Sequence, residues 1–162
     1  MYRLYVERKP GFENEAKRYL SEINEFLGIP AVTGVRYFNR YDIENVSEEV
    51  AKISATRIFS EPQSDYCIFE ELPKVDGSTE IIWEYLPGQY DQRADSAEQC
   101  ISLLRAGLKN VQTCDKEPVV RCAKIVLLDG KISEDEIKKI QGYLINPVDS
   151  RLTDDKKPDT LE

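Results

Sequence analysis

Two Pro-Gly pairs stand at matching places in the chain, and they restrict the fold more than any other feature. Pro10-Gly11 follows a strand-like alternation in which Tyr2, Leu4 and Val6 are interleaved with Arg3, Tyr5 and Glu7. Pro87-Gly88, 77 positions later, follows the strand-like run EIIWEYL at 80–86. An apolar stripe of helical period comes after each pair: Ala16, Tyr19, Leu20, Ile23, Phe26 and Leu27 in one case, Ala94, Ala97, Cys100, Ile101, Leu104 and Leu108 in the other. A second helix in each half is then stopped by a proline, Pro62 and Pro147, 85 positions apart. A recurrence of this length is a duplicated small domain rather than a solenoid repeat.

Between the two helices of each half the pattern predicts a pair of strands. VRYFNRYDIEN V at 35–46 is rich in β-branched and aromatic residues, and Asn39-Arg40 in its middle predicts a tight turn. The corresponding pair is expected at 111–114 and 119–128, around Asp115-Lys116-Glu117-Pro118. Ser47 ahead of Glu48 and Glu49 marks a helix start, and Ser133 with Glu136 has capping-box spacing. YCIFEEL at 66–72 reads as a further strand. Each half is therefore expected to be βαββαβ, the order of the ferredoxin-like motif. The expected fold class is α+β: two such repeats, 1–73 and 79–152, packed as a pseudo-dimer through the sheet faces their helices leave open. Residues 151–162 carry seven charges and two leucines. Composition of that kind cannot fold alone, so 153–162 is expected to be the flexible start of a linker, and the chain a fragment of something longer.

Composition removes several classes of function. The 162 residues contain no histidine, which excludes Cys-His and Ser-His nucleophiles and histidine-ligated metals. The net charge is −8 and neither half is basic, so no cationic footprint for nucleic acid exists. An RNA-binding βαββαβ sheet also needs exposed aromatic residues, which the strand KIVLLDG at 124–130 lacks. No apolar run is long enough to cross a membrane, and Met1 to Gly11 does not resemble a signal peptide. The four cysteines form no CxxC pair and are expected to be free thiols in a reducing cytoplasm, with Cys100 and Cys122 shielded on apolar faces. Gly107 and Gly130 stand alone, so no glycine-rich phosphate cradle is present, and there is no GxSxG elbow. Glu48-Glu49 and Asp135-Glu136 are first-turn acids. No catalytic residue, cofactor site or metal ligand is expected.

One segment stands apart. YLPGQYDQRADS at 85–96 is a polar run between a strand and a helix. It reads either as a long lead into the helix, capped by Asp91 or Ser96, or as a docking surface built on Gln89, Tyr90, Asp91, Gln92, Arg93 and Asp95.

PGQYDQRADSAEQC at 87–100 resembles a stretch near the N-terminus of the large, single-chain phosphoribosylformylglycinamidine synthases. VERKPGFENEA at 6–16, TGVRYFNRYDIENV at 33–46, RIFSEPQSD at 57–65 and YLINPVDSR at 143–151 resemble the same family in the same order. The resemblance covers residues 1–151. It implies an N-terminal domain similar to a fused dimer of the small PurS subunit of the split enzymes. It further implies partners in the synthetase and glutaminase domains of one long chain, with ATP and Mg used by the synthetase. The family's activity is the glutamine-dependent conversion of formylglycinamide ribonucleotide to formylglycinamidine ribonucleotide, a cytoplasmic step of purine synthesis. Its catalytic residues lie outside the region matched here, which implies an assembly role for this one. The reading from another class is a stand-alone ACT-like module that senses a small molecule at the interface of its repeats.

Overall fold

In the computed structural model, which describes residues 1–109 and 114–161, the chain is a single six-stranded antiparallel sheet with four α-helices. The first half contributes β1 (Tyr2–Arg8), α1 (Asn14–Ser21), β2 (Gly34–Glu44), α2 (Glu48–Arg57) and β3 (Asp65–Phe69). The second contributes β4 (Thr79–Tyr85), α3 (Gln92–Gly107), β5 (Val119–Asp129), α4 (Glu134–Leu144) and β6 (Ser150–Thr153). A π-helical turn, Glu22–Phe26, extends α1, with the Leu27 amide bonded to the Glu22 carbonyl.

The punctuation works as its residue types dictate. Phe12 and Gln89 donate their amides back to the Lys9 and Leu86 carbonyls, closing a turn over each Pro-Gly pair. Gly11 and Gly88 sit at φ +93° and +86°, which position i+2 of a type II turn demands and a β-carbon disfavours. The stopping prolines occupy equivalent turns, with Ser64 bonded to Glu61 and Asp149 to Asn146. Ser47 accepts from the Val50 amide, and Ser133 and Glu136 form the reciprocal capping box.

The order within each half differs from the expected βαββαβ. Among the described residues each half runs βαβαβ: in the first half the two short strands expected in the middle are one strand of 11 residues, β2, and in the second half β5 takes the place of the expected strand at 119–128. Asn39-Arg40 makes no turn. Their side chains leave opposite faces of β2 and both find partners: Arg93 donates to Asn39 on one side, and Arg40 donates to the Asp154 carbonyl on the other. These tertiary bonds override the local turn preference. Of the strand expected at 111–114, residues 111–113 lie outside the described residues, and Cys114 is not in a strand.

The halves also meet differently from the face-to-face packing expected. The strand order is β3-β1-β2-β5-β4-β6, so they join edge to edge through β2 and β5. Asn39 lies opposite Lys124, the middle pair of the register. These two residues are 85 positions apart, the separation of the stopping prolines, so equivalent positions face one another at the seam.

Alternation of side chains divides the core. Leu4, Val6, Tyr41, Ile43 and Val120 pack under α2 and α3, while Tyr37, Ile81, Trp83, Val126 and Leu128 pack under α1, its π-turn and α4. Tyr5, Phe38, Ile82, Ala123, Ile125 and Leu127 occupy the opposite face and are buried too. Two crossing segments cover that face. The connector from β3 to β4 brings Leu72 onto it and gives its Pro73 carbonyl to Arg36. Residues 154–161, expected to be linker, are placed back across the sheet: Asp155 takes bonds from Tyr5 and Arg3, Lys157 pairs with Glu70, and Leu161 is buried with its amide on Glu44. The segment has too few apolar groups to fold by itself, but its carbonyls and carboxylates satisfy arginines that the sheet buries.

Two consequences follow for side chains. The strand β1, expected to be half-buried, is buried on both faces from Arg3 to Val6. Cys100, expected on the apolar face of α3, is exposed, because Ala94, Ala97 and Ile101 make the buried stripe and Cys100 falls beside it. Cys122 is partly buried at the seam, and burial, followed by the Asp91 carboxylate, holds its thiol protonated at neutral pH. Alkylation in the native state is expected to reach Cys100 well before Cys122, with the fast phase absent from Cys100→Ser; equal rates at the two thiols would contradict this placement.

Arg3 and Asp42, 1% and 5% exposed, form the most deeply buried ion pair. Arg3 donates from Nε and a terminal nitrogen to the two Asp42 oxygens, at 2.7 and 3.0 Å. Asp42→Ala would strand a guanidinium in the core and is expected to lower unfolding free energy by about 3–5 kcal/mol in a urea titration.

Candidate interdomain docking surface

The segment 85–96 is shorter as a loop than its polarity predicts. Asp91 is the N-cap of α3, its carboxylate accepting from the Ala94 amide at 3.1 Å, and Gln92, Arg93 and Asp95 are already helical. The loop proper runs from 86 to 91, six residues against the five, 9–13, that lead into α1. Asp91 is thus the cap, and Ser96 lies in the second turn of the helix.

The six candidate residues divide into two groups. Asp91, Gln92 and Arg93 line a cleft of about 620 Å³ at the seam of the halves, with Asn39, Lys124 and Trp83 on its other walls. One terminal nitrogen of Arg93 donates to Asn39 Oδ1 at 2.7 Å and to the Tyr41 hydroxyl at 3.3 Å, tying the start of α3 to the centre of β2. Tyr37 donates to the same Asn39 oxygen at 3.4 Å. Gln89, Tyr90 and Asp95 do not line that cleft. The Tyr90 hydroxyl and the Gln99 amide both donate to Asp95 Oδ2 at 3.0 Å, so the outer part of the segment is braced by its own bonds. Gln89 and Gln92 are exposed, and Tyr90 presents 71% of its surface.

Burial pushes the Cys122 thiol in the cleft above its ordinary range, as it does the Tyr37 and Tyr41 phenols beside Asn39. Among the described residues no group of three or more Cys, Asp or Glu converges in a way that would hold a metal ion. No described helix is long and apolar enough to cross a membrane.

No family model, curated protein or solved structure matches this chain. The functional reading therefore stands on the residues themselves.

Sequence reasoning did not single out Asn39, Tyr41 and Lys124 as members of this surface. The signal was present in the alternation of side chains, which puts Asn39 and Tyr41 on one face of β2 with Tyr37 and Ile43, and Lys124 on one face of β5 with Val126 and Leu128, the helix-bearing face in both. It was hidden by the expected turn at Asn39-Arg40.

The two groups of candidate residues should separate on substitution. Arg93→Ala removes two hydrogen bonds to β2 and is expected to cost about 1 kcal/mol in a denaturant titration. Tyr90→Ala, at an exposed position, is expected to stay within about 0.5 kcal/mol of the parent. A large loss at Tyr90 would show that the outer segment is structural and not a free surface.

Proposed function

We propose that the chain is the non-catalytic N-terminal assembly domain of a large, single-chain phosphoribosylformylglycinamidine synthase. On this reading its two halves are PurS-like repeats fused as a pseudo-dimer. The enzyme as a whole is a cytoplasmic ATP-dependent amidoligase, and ATP and Mg belong to its synthetase domain. The domain's work is to hold synthetase and glutaminase together so that ammonia released from glutamine reaches the formylglycinamide ribonucleotide.

The observation that carries the reading is the run 87–100 with its four companion stretches. Each maps onto a structural joint that a duplicated domain would need. Two of them are the Pro-Gly turns, one is the seam strand β2, and two are the proline turns at the ends of α2 and α4. The edge-to-edge sheet, with equivalent residues opposed at Asn39 and Lys124, supports a fused dimer. The exposed outer segment presents Tyr90, a residue type that interfaces favour, on a braced frame, with the exposed Gln89 and Gln92 on either side.

The test uses the complete reading frame, which on this proposal encodes synthetase and glutaminase domains after residue 162. In that protein, Gln89→Ala, Tyr90→Ala and Gln92→Ala together are expected to lower glutamine-dependent synthesis by about tenfold. The melting temperature of residues 1–162 should not change, and synthesis supported by added ammonia should be retained. An unaltered glutamine-dependent rate would remove the docking role, and a reading frame without the two domains would remove the proposal.

The seam cleft favours one competing reading, the ACT-like sensor, since such modules bind their ligand between repeats. Saturable binding of glutamine or another amino acid to residues 1–162 in a calorimeter would favour the sensor over the assembly domain.

A further inference from the structure

On the sheet face opposite the helices, the two halves handle one equivalent set of residues in different ways. In the first half Arg36, Glu7 and Phe38 form a closed unit. Arg36 bonds Glu7 through two nitrogens, both at 2.7 Å, gives a third to the Pro73 carbonyl, and lies over the Phe38 ring at 5.1 Å. Glu7 is paired with Phe38 across β1 and β2. The equivalents in the second half are Arg121, Glu84 and Ala123, with Glu84 paired with Ala123 across β4 and β5. Alanine replaces the ring, and the unit is open. Among the described residues Arg121 donates only to the Leu161 carbonyl, and Glu84 pairs instead with Arg151 at 3.6 Å.

Beside this open unit, against Arg121 and Glu84, lies a hollow of about 270 Å³ roofed by residues 156–161. Arg3, Arg40, Arg121, Arg151 and Lys156 line it, against Asp42 and Glu84. Register places these groups together. Arg3, Asp42 and Arg121 form one row across β1, β2 and β5, and Arg40, Ala123, Glu84 and Arg151 form the next, across β2, β5, β4 and β6. Arg3 is taken up by Asp42, Arg40 is neutralised by Asp155 at 3.2 Å, and Arg151 by Glu84. Among the described residues Arg121 and Lys156 remain without a carboxylate partner, two cations facing one small concave space in a chain whose net charge is −8. Among the described residues Arg40 and Arg121 each have an acceptor for one terminal nitrogen, so further N–H groups on both are available to a ligand.

We propose that this hollow between Arg121 and Lys156 is a binding site for a small oxyanion of the phosphate class, either free orthophosphate or the phosphate of a small monoester. Guanidinium forks match the oxygens of such a group, and a dianion matches the excess of two positive charges. The ligand would complete in the second half the arginine shell that Glu7 and Phe38 complete in the first. It would also fasten the tail, because Lys156 and the Arg121–Leu161 bond belong to the roof. The inference is independent of the assembly role.

The experiment is calorimetry on the 162-residue chain at low ionic strength, with inorganic phosphate in one arm and glycerol 3-phosphate in the other. One-site saturable binding is expected in at least one arm, and the tighter arm identifies the source. Arg121→Gln should weaken it about tenfold, the loss of one charged hydrogen-bond set. Lys156→Gln, which leaves the Arg121–Leu161 bond in place, should weaken it about tenfold as well. Arg57→Gln, at an exposed site on α2, should leave it unchanged. Absence of saturable heat in both arms up to about 10 mM ligand, no change in Arg121→Gln, or an equal loss in Arg57→Gln would each overturn the proposal.

Discussion

The antiparallel pairing of β2 with β5 is the contact on which the rest of the molecule rests. Eleven residues of each strand lie in register, from Gly34 opposite Asp129 to Glu44 opposite Val119. Without it each half is a three-stranded sheet with a long exposed edge, a form prone to pairing with whatever is near. With it, the two edges satisfy one another and the helices of both halves share one surface. The seam cleft, the tie from Arg93 to Asn39 and the opposed pair Asn39–Lys124 all exist because these strands are neighbours.

Covering both faces of the sheet is what makes its charges possible. Four helices protect one side, and the connector and tail protect the other with polar rather than apolar contacts. Arg3 and Arg40 are buried there because carboxylates and carbonyls of Asp42, Asp154 and Asp155 meet them. A buried ion pair of this kind adds little net stability over an apolar pair, but it penalises any arrangement in which one partner is missing. The tail is therefore specified by the sheet it crosses. Its own composition would not hold it in place.

Much of this was legible in the sequence, and the failures have physical causes. The Pro-Gly turns, the proline turns after α2 and α4 and the serine caps were readable because each depends on local backbone chemistry. The seam strand was misread at Asn39-Arg40, where long-range partners outweigh a local turn preference. Cys100 was misplaced by one position on a helix whose buried stripe is narrow and carried by Ala94, Ala97 and Ile101. Of the candidate docking residues, the cap role of Asp91 was visible, whereas the bonds of Arg93 to Asn39 and Tyr41 depend on which strand lies below α3. The burial of Arg3 and Arg40 under the tail was not legible, because no local signal reports that a segment more than a hundred residues away lies over them.

The distance along the chain between paired residues also bears on how the molecule assembles. Partners at the seam are separated by 75 to 95 positions, from Glu44 and Val119 to Gly34 and Asp129. The pairings of β1 with β2 and of β4 with β5 close far shorter loops. Closing a long loop loses more chain entropy before any contact compensates, and folding slows as contact order rises. The first half, with β1, β2 and β3 contained in its own 69 residues, can form as a unit ahead of the rest. It then offers β2 as a template on which β5 is laid down, so the order of synthesis and the order of assembly coincide.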